Sequence, residues 1–139
     1  MRVIIIGCGR VGADLAATLE SEGHEVTVVE KDRLALVHLP EAFQGRIILG
    51  TGIDDAVLRR AGIETADAVV AVTNLDNTNV VAAQIAKEKY KVKTVLARTF
   101  DPRLQEIYRE FGLETICPTD ITVKLIHDSL PAKASGKGA

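Results

Sequence analysis

The chain contains no tryptophan, and aromatic residues make up only 4% of its 139 positions. Proteins that bind single-stranded nucleic acid stack bases on aromatic side chains, so this scarcity disfavours such a platform. There is no basic excess either, because 17 Lys and Arg stand against 19 Asp and Glu. Without clustered positive charge, contact with a phosphate backbone lacks its main source of affinity. We therefore expect no nucleic-acid partner.

The sequence is also short of cysteines and of long apolar runs. Its two cysteines, Cys8 and Cys117, have neither metal-ligand spacing nor a neighbouring cysteine partner. A disulfide framework and a metal site are therefore not expected, and the pattern favours a reducing cytoplasm. The apolar run at residues 3–6 is far shorter than the roughly 20 residues that cross a bilayer, and too short for a secretion signal. We expect no direct membrane insertion.

What remains is an ordinary globular composition, with 47% apolar and 26% charged residues, and a regular pattern. Short β-branched runs alternate with longer segments of helical period, which predicts parallel strands joined by right-handed helical crossovers. The predicted fold class is α/β, a doubly wound parallel six-stranded sheet with helices on both faces. Strands are predicted at 3–6, 25–29, 46–49, 68–72, 94–97 and 114–116, and helices at 11–22, 32–39, 54–61, 76–89, 102–111 and 119–130.

The length suits one domain. We assign residues 1–130 to it, and we interpret residues 131–139, with their Ala, Ser, Gly and Lys, as a flexible tail or linker.

The first loop carries a phosphate-binding pattern. Gly7, Gly9 and Gly12 form G-x-G-x-x-G between the predicted strand 3–6 and the predicted helix 11–22. In this context the first glycine permits a tight turn, the second lets a pyrophosphate approach the backbone, and the third lets the helix pack closely on the strand. The helix N-terminus adds unpaired N–H groups and a partial positive charge. The pattern therefore predicts a nucleotide site.

Three side chains near this loop refine the prediction. Glu30 closes the second strand, where a carboxylate can accept hydrogen bonds from both ribose hydroxyls of an adenine nucleotide and would repel a 2′-phosphate. NAD(H) or ATP/ADP is therefore favoured over NADP, with no choice between the first two. Arg10 is either a phosphate donor or a solvated surface residue. Cys8 lies where a helix N-terminus would favour a thiolate, but a small residue that fits the loop is the simpler interpretation.

The loops after the later strands complete the predicted site, because open α/β sheets bind ligands outside the carboxyl ends of their strands. Gly50 and Gly52 flank Thr51 after the third strand and allow a base to approach closely. The polar cluster 73–79 after the fourth strand exceeds what a helix cap needs, so ligand contact and capping both remain open. Arg98 after the fifth strand either faces a phosphate or a carboxylate across the crevice, or forms an ion pair at the surface.

No catalytic set accompanies these loops. His24, His38 and His127 lie away from the predicted strand ends, and no Ser/His/Asp or Cys/His arrangement converges on the crevice. Hydride transfer needs a substrate site and usually an acid or base. We therefore do not expect an enzyme. Two alternatives stay open: the dinucleotide-binding domain of an NAD-dependent oxidoreductase without its substrate domain, and an adenine-nucleotide sensor for some other partner.

Helix 119–130 predicts self-association, because it carries more apolar side chains than one sheet face would cover. The alternative is that it packs on its own sheet as an ordinary amphipathic helix. The apolar residues are Ile121, Val123, Leu125, Ile126 and Leu130.

Five segments of residues 1–130 resemble, in matching order, the N-terminal nucleotide-binding domain of Trk/Ktr potassium-transport regulators, the RCK-N or TrkA-N domain. They are GCGRVG, HEVTVVEKD, ILGTGIDDAVLRRAGIETADAVVAVTNLDNTNVVAAQIAKE, VLARTFDP and FGLETICPTD. The resemblance implies a Rossmann-like fold that binds NAD(H) or ATP/ADP. It further implies a homodimer or higher homo-oligomer that gates a potassium-translocating membrane protein from the cytoplasmic face of the cell membrane.

The resemblance also implies roles for individual residues. Loop 7–12 would hold phosphates, Glu30 the ribose, and Gly50 with Thr51 the surroundings of the adenine, while Arg98 would approach the phosphates. The complete set of predicted cofactor-binding residues is Gly7, Cys8, Gly9, Arg10, Val11, Gly12, Glu30, Lys31, Gly50, Thr51, Thr73, Asn74, Asp76, Asn77 and Arg98.

Overall fold

Six parallel strands form one sheet in the computed structural model, which describes residues 1–132. The strand order is β3-β2-β1-β4-β5-β6. The chain adds β1 to β3 toward one edge of the sheet, returns to the centre, and adds β4 to β6 toward the other edge, so the strand order reverses between the adjacent strands β1 and β4. This reversal creates the crevice at which doubly wound sheets bind ligands. The predicted fold class is confirmed. The strands are β1 Arg2–Ile6, β2 Glu25–Glu30, β3 Arg46–Leu49, β4 Ala68–Ala71, β5 Thr94–Arg98 and β6 Glu114–Ile116.

The helices begin and end at residues whose chemistry explains the boundary. Asp54 caps one helix by accepting the backbone N–H of Ala56 at 2.9 Å, and Asp101 caps another, which starts with a proline. Gly112, with a φ of 77°, takes up the left-handed conformation just after that second helix. The α-helices are α1 Arg10–Ser21, α2 Asp55–Arg60, α3 Asp76–Gln84, α4 Pro102–Glu110 and α5 Pro118–Ser129.

Strand β1 lies between two hydrophobic cores. Val3 and Ile5 point into the core shared with α1, whereas Ile4 and Ile6 point into the core shared with α2 and α3. Successive side chains of a strand point to opposite faces, so an uninterrupted apolar run is what a sheet covered on both sides requires.

Two predicted helices depart from regular α geometry. The segment Arg33–His38, predicted as part of a helix at 32–39, is a 3-10 helix, and its Leu34 and Val37 are each 80% exposed. A short segment with no buried apolar stripe lacks the packing that sustains an α-helix, and Pro40 ends it. The helix predicted at 76–89 is α-helical only to Gln84 and continues as a π-helical turn, Ile85–Lys89.

The buried face of α1 differs from the face that its periodicity predicts, which is Val11, Leu15, Thr18 and Leu19. Val11 and Thr18 are exposed, and both leucines are only half-buried. The helix starts directly from the loop after β1 and approaches the sheet so closely that only small residues fit beneath it. The residues buried there are Gly12, Ala13 and Ala16.

Helix α5 does not pack on the sheet, which overturns the alternative that its own sheet covers it. None of its residues is buried, and Val123 and Leu125 are 61% and 62% exposed. Of the predicted tail 131–139, residues 133–139 lie outside the described residues. Over residues 1–132, no helix combines the length and the hydropathy that a membrane span demands.

Candidate nucleotide-binding site

A cleft of about 440 Å³ opens at the carboxyl ends of β1 to β5. This volume lies within the range of small-molecule sites. Ten of the fifteen predicted residues line it, together with Gly52 and Thr78 from the loops singled out in the sequence, and with Asp32 and Ala35, which were not predicted. The ten are Gly7, Cys8, Gly9, Glu30, Lys31, Gly50, Thr51, Thr73, Asn74 and Arg98.

The other five predicted residues lie beside the cleft. Arg10 and Val11 are exposed in the first turn of α1, and Gly12 is buried beneath the loop. Asp76 directs its carboxylate away, toward the loop after β5, and Asn77 is exposed on α3.

A second groove, of about 460 Å³, lies at the opposite end of the strands and borders Arg2, His24 and Arg46. It has no glycine loop, and doubly wound sheets bind ligands at the carboxyl end instead. We therefore place the candidate site in the first cleft.

The three glycines of the loop have different surroundings. Gly7 has a φ of 109°, and its N–H donates to the Val29 carbonyl at 2.8 Å. A Cβ on Gly7 would come within 2.8 Å of the Thr73 nitrogen, and a Cβ on Gly12 would overlap the Gly7 carbonyl oxygen. A Cβ on Gly9 would meet no atom within 4 Å. The first and third glycines therefore permit tight packing, and the second leaves the loop open to a ligand.

The N-terminus of α1 is uncapped. Gly9 occupies the N-cap position without a side chain that could accept a hydrogen bond, and the first turn contains no acidic residue. The first amide groups of the helix and the positive end of its dipole are therefore available to an anion. Since Gly9 also lines the cleft, this end of the cleft suits a phosphate.

Glu30 is held in place at the mouth of the cleft. Its Oε1 accepts the N–H of Cys8 at 2.7 Å, and its Oε2 accepts the N–H of Asp32 at 2.9 Å. A carboxylate oxygen can accept more than one hydrogen bond, so both oxygens keep capacity for a hydroxyl group. The exposed Lys31 lines the same wall. The side chain is thus oriented before any ligand arrives, which reduces the entropic cost of binding.

Cys8 is fully buried beneath the loop. Burial, together with the charge of Glu30, raises the pKa of its thiol to about 11. The helix N-terminus does not overcome these two effects, so the thiolate alternative is disfavoured and Cys8 serves as a small residue that fits the loop.

This protonated thiol gives a testable result. In a Cys117→Ala chain, which isolates Cys8, we expect iodoacetamide at pH 8 to react about 100-fold more slowly in the native state than in urea. With a pKa of about 11, roughly one thiol in a thousand is ionised at pH 8, and the burial of Cys8 further limits access of the reagent. Equal rates in both states, followed by mass spectrometry, would contradict the assigned pKa.

A network of polar contacts closes the β4–β5 side of the cleft. The Arg98 Nη2 donates to the carbonyl oxygens of Val72 and Thr73, at 2.8 and 3.0 Å. Asn79 is completely buried, and its Nδ2 donates to the carbonyl oxygens of Thr73 and Arg98, both at 2.9 Å. Its Oδ1 accepts from the Thr73 N–H and hydroxyl. Asn79 lay within the predicted polar cluster without a separate role, although an asparagine inside a helix is a signal of such a network.

Among residues 1–132, no group of three or more His, Cys, Asp and Glu side chains is arranged to hold a metal ion. The polar groups that line the cleft are backbone groups, hydroxyl and amide side chains, the carboxylates of Glu30 and Asp32, and the cations of Lys31 and Arg98.

A family comparison now decides the assignment. Residues 3–118 match the model of the TrkA-N domain. The chain belongs to the TrkA-N domain family. This TrkA-N domain is 42% identical over 139 residues to the Trk system potassium uptake protein TrkA of Streptomyces coelicolor, and 40% identical over 138 residues to the TrkA homolog of Pyrococcus abyssi. These matches cover 100% and 94% of the chain and 60% of each relative, so the chain spans about three fifths of their length.

Solved structures share the fold of this TrkA-N domain. The TrkA-N domain of inner membrane protein ybaL from Escherichia coli superimposes with a TM-score of 0.81 at 20% identity, over 94% of this chain and 96% of that one. GsuK bound to ADP gives a TM-score of 0.76 at 20% identity, over 91% and 33%. The GsuK channel bound to NAD gives 0.69 at 21% identity, over 84% and 21%. At these identities the likeness shows the fold alone.

Proposed function

We propose that this TrkA-N domain is a nucleotide-binding regulatory domain of a potassium uptake system, and that NAD(H) or ATP/ADP occupies the cleft. One observation carries the proposal: the uncapped N-terminus of α1 and the anchored carboxylate of Glu30 border the same cleft. A phosphate-binding helix end beside a fixed ribose acceptor suits an adenine nucleotide. The names of the TrkA relatives supply the potassium uptake context.

Each part of the nucleotide has residues that fit it. The amide groups at the start of α1 would hold phosphates, and Glu30 would accept the ribose hydroxyls. Gly50 and Thr51 would border the adenine. The negative charge of Glu30 opposes a 2′-phosphate, so NADP is disfavoured.

Arg98 is the cation available on the other side of the cleft. Its Nε is buried without an acceptor among the described residues. Burial lowers the pKa of its guanidinium and Asp76 partly opposes this, but an arginine in a protein stays charged. A half-buried cation with an unused donor would gain from an anionic ligand, so Arg98 suits the phosphates of ATP/ADP or the pyrophosphate of NAD(H).

The proposed output is regulation rather than catalysis. The nucleotide would bind two arrangements of the domain with different affinity and so shift the gating equilibrium of a potassium-translocating membrane protein. The domain would act at the cytoplasmic face of the membrane through that partner. The exposed apolar side chains of α5 support self-association into a homodimer or higher homo-oligomer.

Glu30 provides the test of the proposal. We expect Glu30→Ala and Glu30→Gln to weaken binding of NADH and ATP by about 10- to 100-fold in calorimetry, because hydrogen bonds to a charged group contribute about 1.5–3 kcal/mol. Glu41→Ala, which removes the same charge from an exposed turn, is the matched control and keeps the wild-type affinity.

Unchanged affinity in both Glu30 variants would remove the ribose assignment. Mass spectrometry of the nucleotide released from purified protein would choose between NAD(H) and ATP/ADP. Sustained NADH turnover by the chain alone would favour the oxidoreductase alternative and overturn the regulatory proposal.

A further inference from the structure

Asp76 contacts the loop after β5 instead of the cleft. It is the first residue of α3, and its carboxylate accepts the N–H of Phe100, with oxygen distances of 3.0 and 3.1 Å. Its Oδ2 also accepts the hydroxyl of Thr99, which is completely buried, at 3.1 Å. The residues that precede Asp76, Thr73 to Leu75, line the cleft. The wall of the cleft is therefore bonded directly to the backbone of the next loop.

Phe100 continues this connection in two directions. Its carbonyl oxygen accepts the hydroxyl of Thr119, in the first turn of α5, at 3.0 Å. Its ring lies 4.7 Å from the guanidinium carbon of Arg98, which lines the cleft. A single residue thus contacts the start of α3, a cationic side chain of the cleft and the start of α5.

Helix α5 is attached to the domain at its first turn. Cys117, which precedes it, is buried, whereas no residue of Pro118–Ser129 is. A helix of twelve residues is about 18 Å long. A small displacement at its base therefore becomes a larger one toward its C-terminal end, where Leu125 and Leu130 are exposed.

We propose that Asp76 is a positioning residue that couples occupancy of the nucleotide cleft to the orientation of α5 through Phe100. The inference rests on the proposed function, since it requires a nucleotide in the cleft. A phosphate that attracts the Arg98 guanidinium shifts this cation relative to the Phe100 ring. Phe100 is held by two hydrogen bonds, from its N–H to the Asp76 carboxylate and from the Thr119 hydroxyl to its carbonyl oxygen. Through these hydrogen bonds the displacement reaches α5. Coupling of this kind is reciprocal, so the state of α5 also affects nucleotide affinity.

Hydrogen exchange of the full chain, with and without ATP and NADH, tests the inference. In the wild type we expect the nucleotide to change the exchange rates of amides in α5 by about fivefold or more, the lower range of measured couplings. Asp76→Asn and, independently, Thr119→Val should still bind nucleotide but lose most of this response. Thr119→Val replaces only a hydroxyl on an exposed residue, so folding is preserved. The matched control is Asp101→Asn, because Asp101 lies in the same loop but pairs with Arg103.

The outcomes separate the two proposals. If calorimetry shows that the wild type binds neither nucleotide, the proposed function fails and this inference fails with it. If nucleotide binds but α5 does not respond, or if both variants respond like the wild type, the coupling role of Asp76 is overturned while the proposed function stands.

Discussion

Gly12→Ala is expected to lower the free energy of unfolding by about 3 kcal/mol, although alanine is the better helix former. A Cβ at this position would overlap the Gly7 carbonyl oxygen and lie 2.9 Å from the Gly7 carbonyl carbon. These are backbone atoms, and Gly7 is itself confined by the backbone of Thr73. The overlap can be relieved only by moving α1 away from β1, which opens the core around Ala13 and Ala16. Urea denaturation measures the loss.

Gly9→Ala is the matched control for this substitution. Gly9 has a φ of −75°, which alanine adopts freely, and a Cβ there meets no atom within 4 Å. Its stability should remain within about 0.5 kcal/mol of the wild type, whereas its nucleotide affinity should fall because the methyl group occupies the approach to the loop. If Gly12→Ala were as stable as Gly9→Ala, close packing of α1 on β1 would not be the reason for the third glycine.

Much of the fold could be predicted because its signals are local. The β-branched runs define the six strands, and Asp54, Pro102 and Gly112 mark helix ends by chemistry that acts within a few residues. The alternation of strands and helices then restricts the topology to a parallel sheet. The strand order in the structure follows from these local features together with the handedness of the crossovers.

The differences between the sequence predictions and the structure at α1 and Asp76 concern packing between distant segments. Periodicity assigned the core face of α1 to its large apolar residues, but the close approach to the loop after β1 buries Ala13 and Ala16. The sequence also grouped Asp76 with the cleft, since it follows a strand, whereas the first turn of α3 directs it to Phe100. The glycine pattern pointed to close packing of α1, but the face that is buried, like the contact of Asp76 with Phe100, depends on segments that are distant in sequence.

The candidate site was predictable to the extent that backbone geometry defines it. The glycine loop and Glu30 have fixed spacing along the chain, and both border the cleft. The β4–β5 side is different, because Thr73, Asn79 and Arg98 come together only when α3 packs across two strand ends.

Asn79→Ala is expected to cost about 3 kcal/mol of unfolding free energy. The side chain is completely buried and makes four hydrogen bonds, through which it joins the end of β4 at Thr73 to the end of β5 at Arg98. Its removal leaves the Thr73 N–H and the Arg98 carbonyl without these partners in the interior, and each unsatisfied group costs about 1–3 kcal/mol. Thermal and urea denaturation report this loss.

Asn77→Ala separates this network from the general effect of replacing an asparagine on α3. Asn77 lies two residues earlier, its side chain is exposed, and its replacement should change stability by less than about 0.5 kcal/mol. The Asn79 substitution has a second expected effect, because Thr73 and Arg98 both line the cleft and lose their common anchor. Nucleotide affinity should therefore fall in Asn79→Ala even under conditions where the protein is fully folded, and should be unchanged in Asn77→Ala. Equal behaviour of the two variants in both measurements would show that the β4–β5 side of the cleft is held by the strands alone.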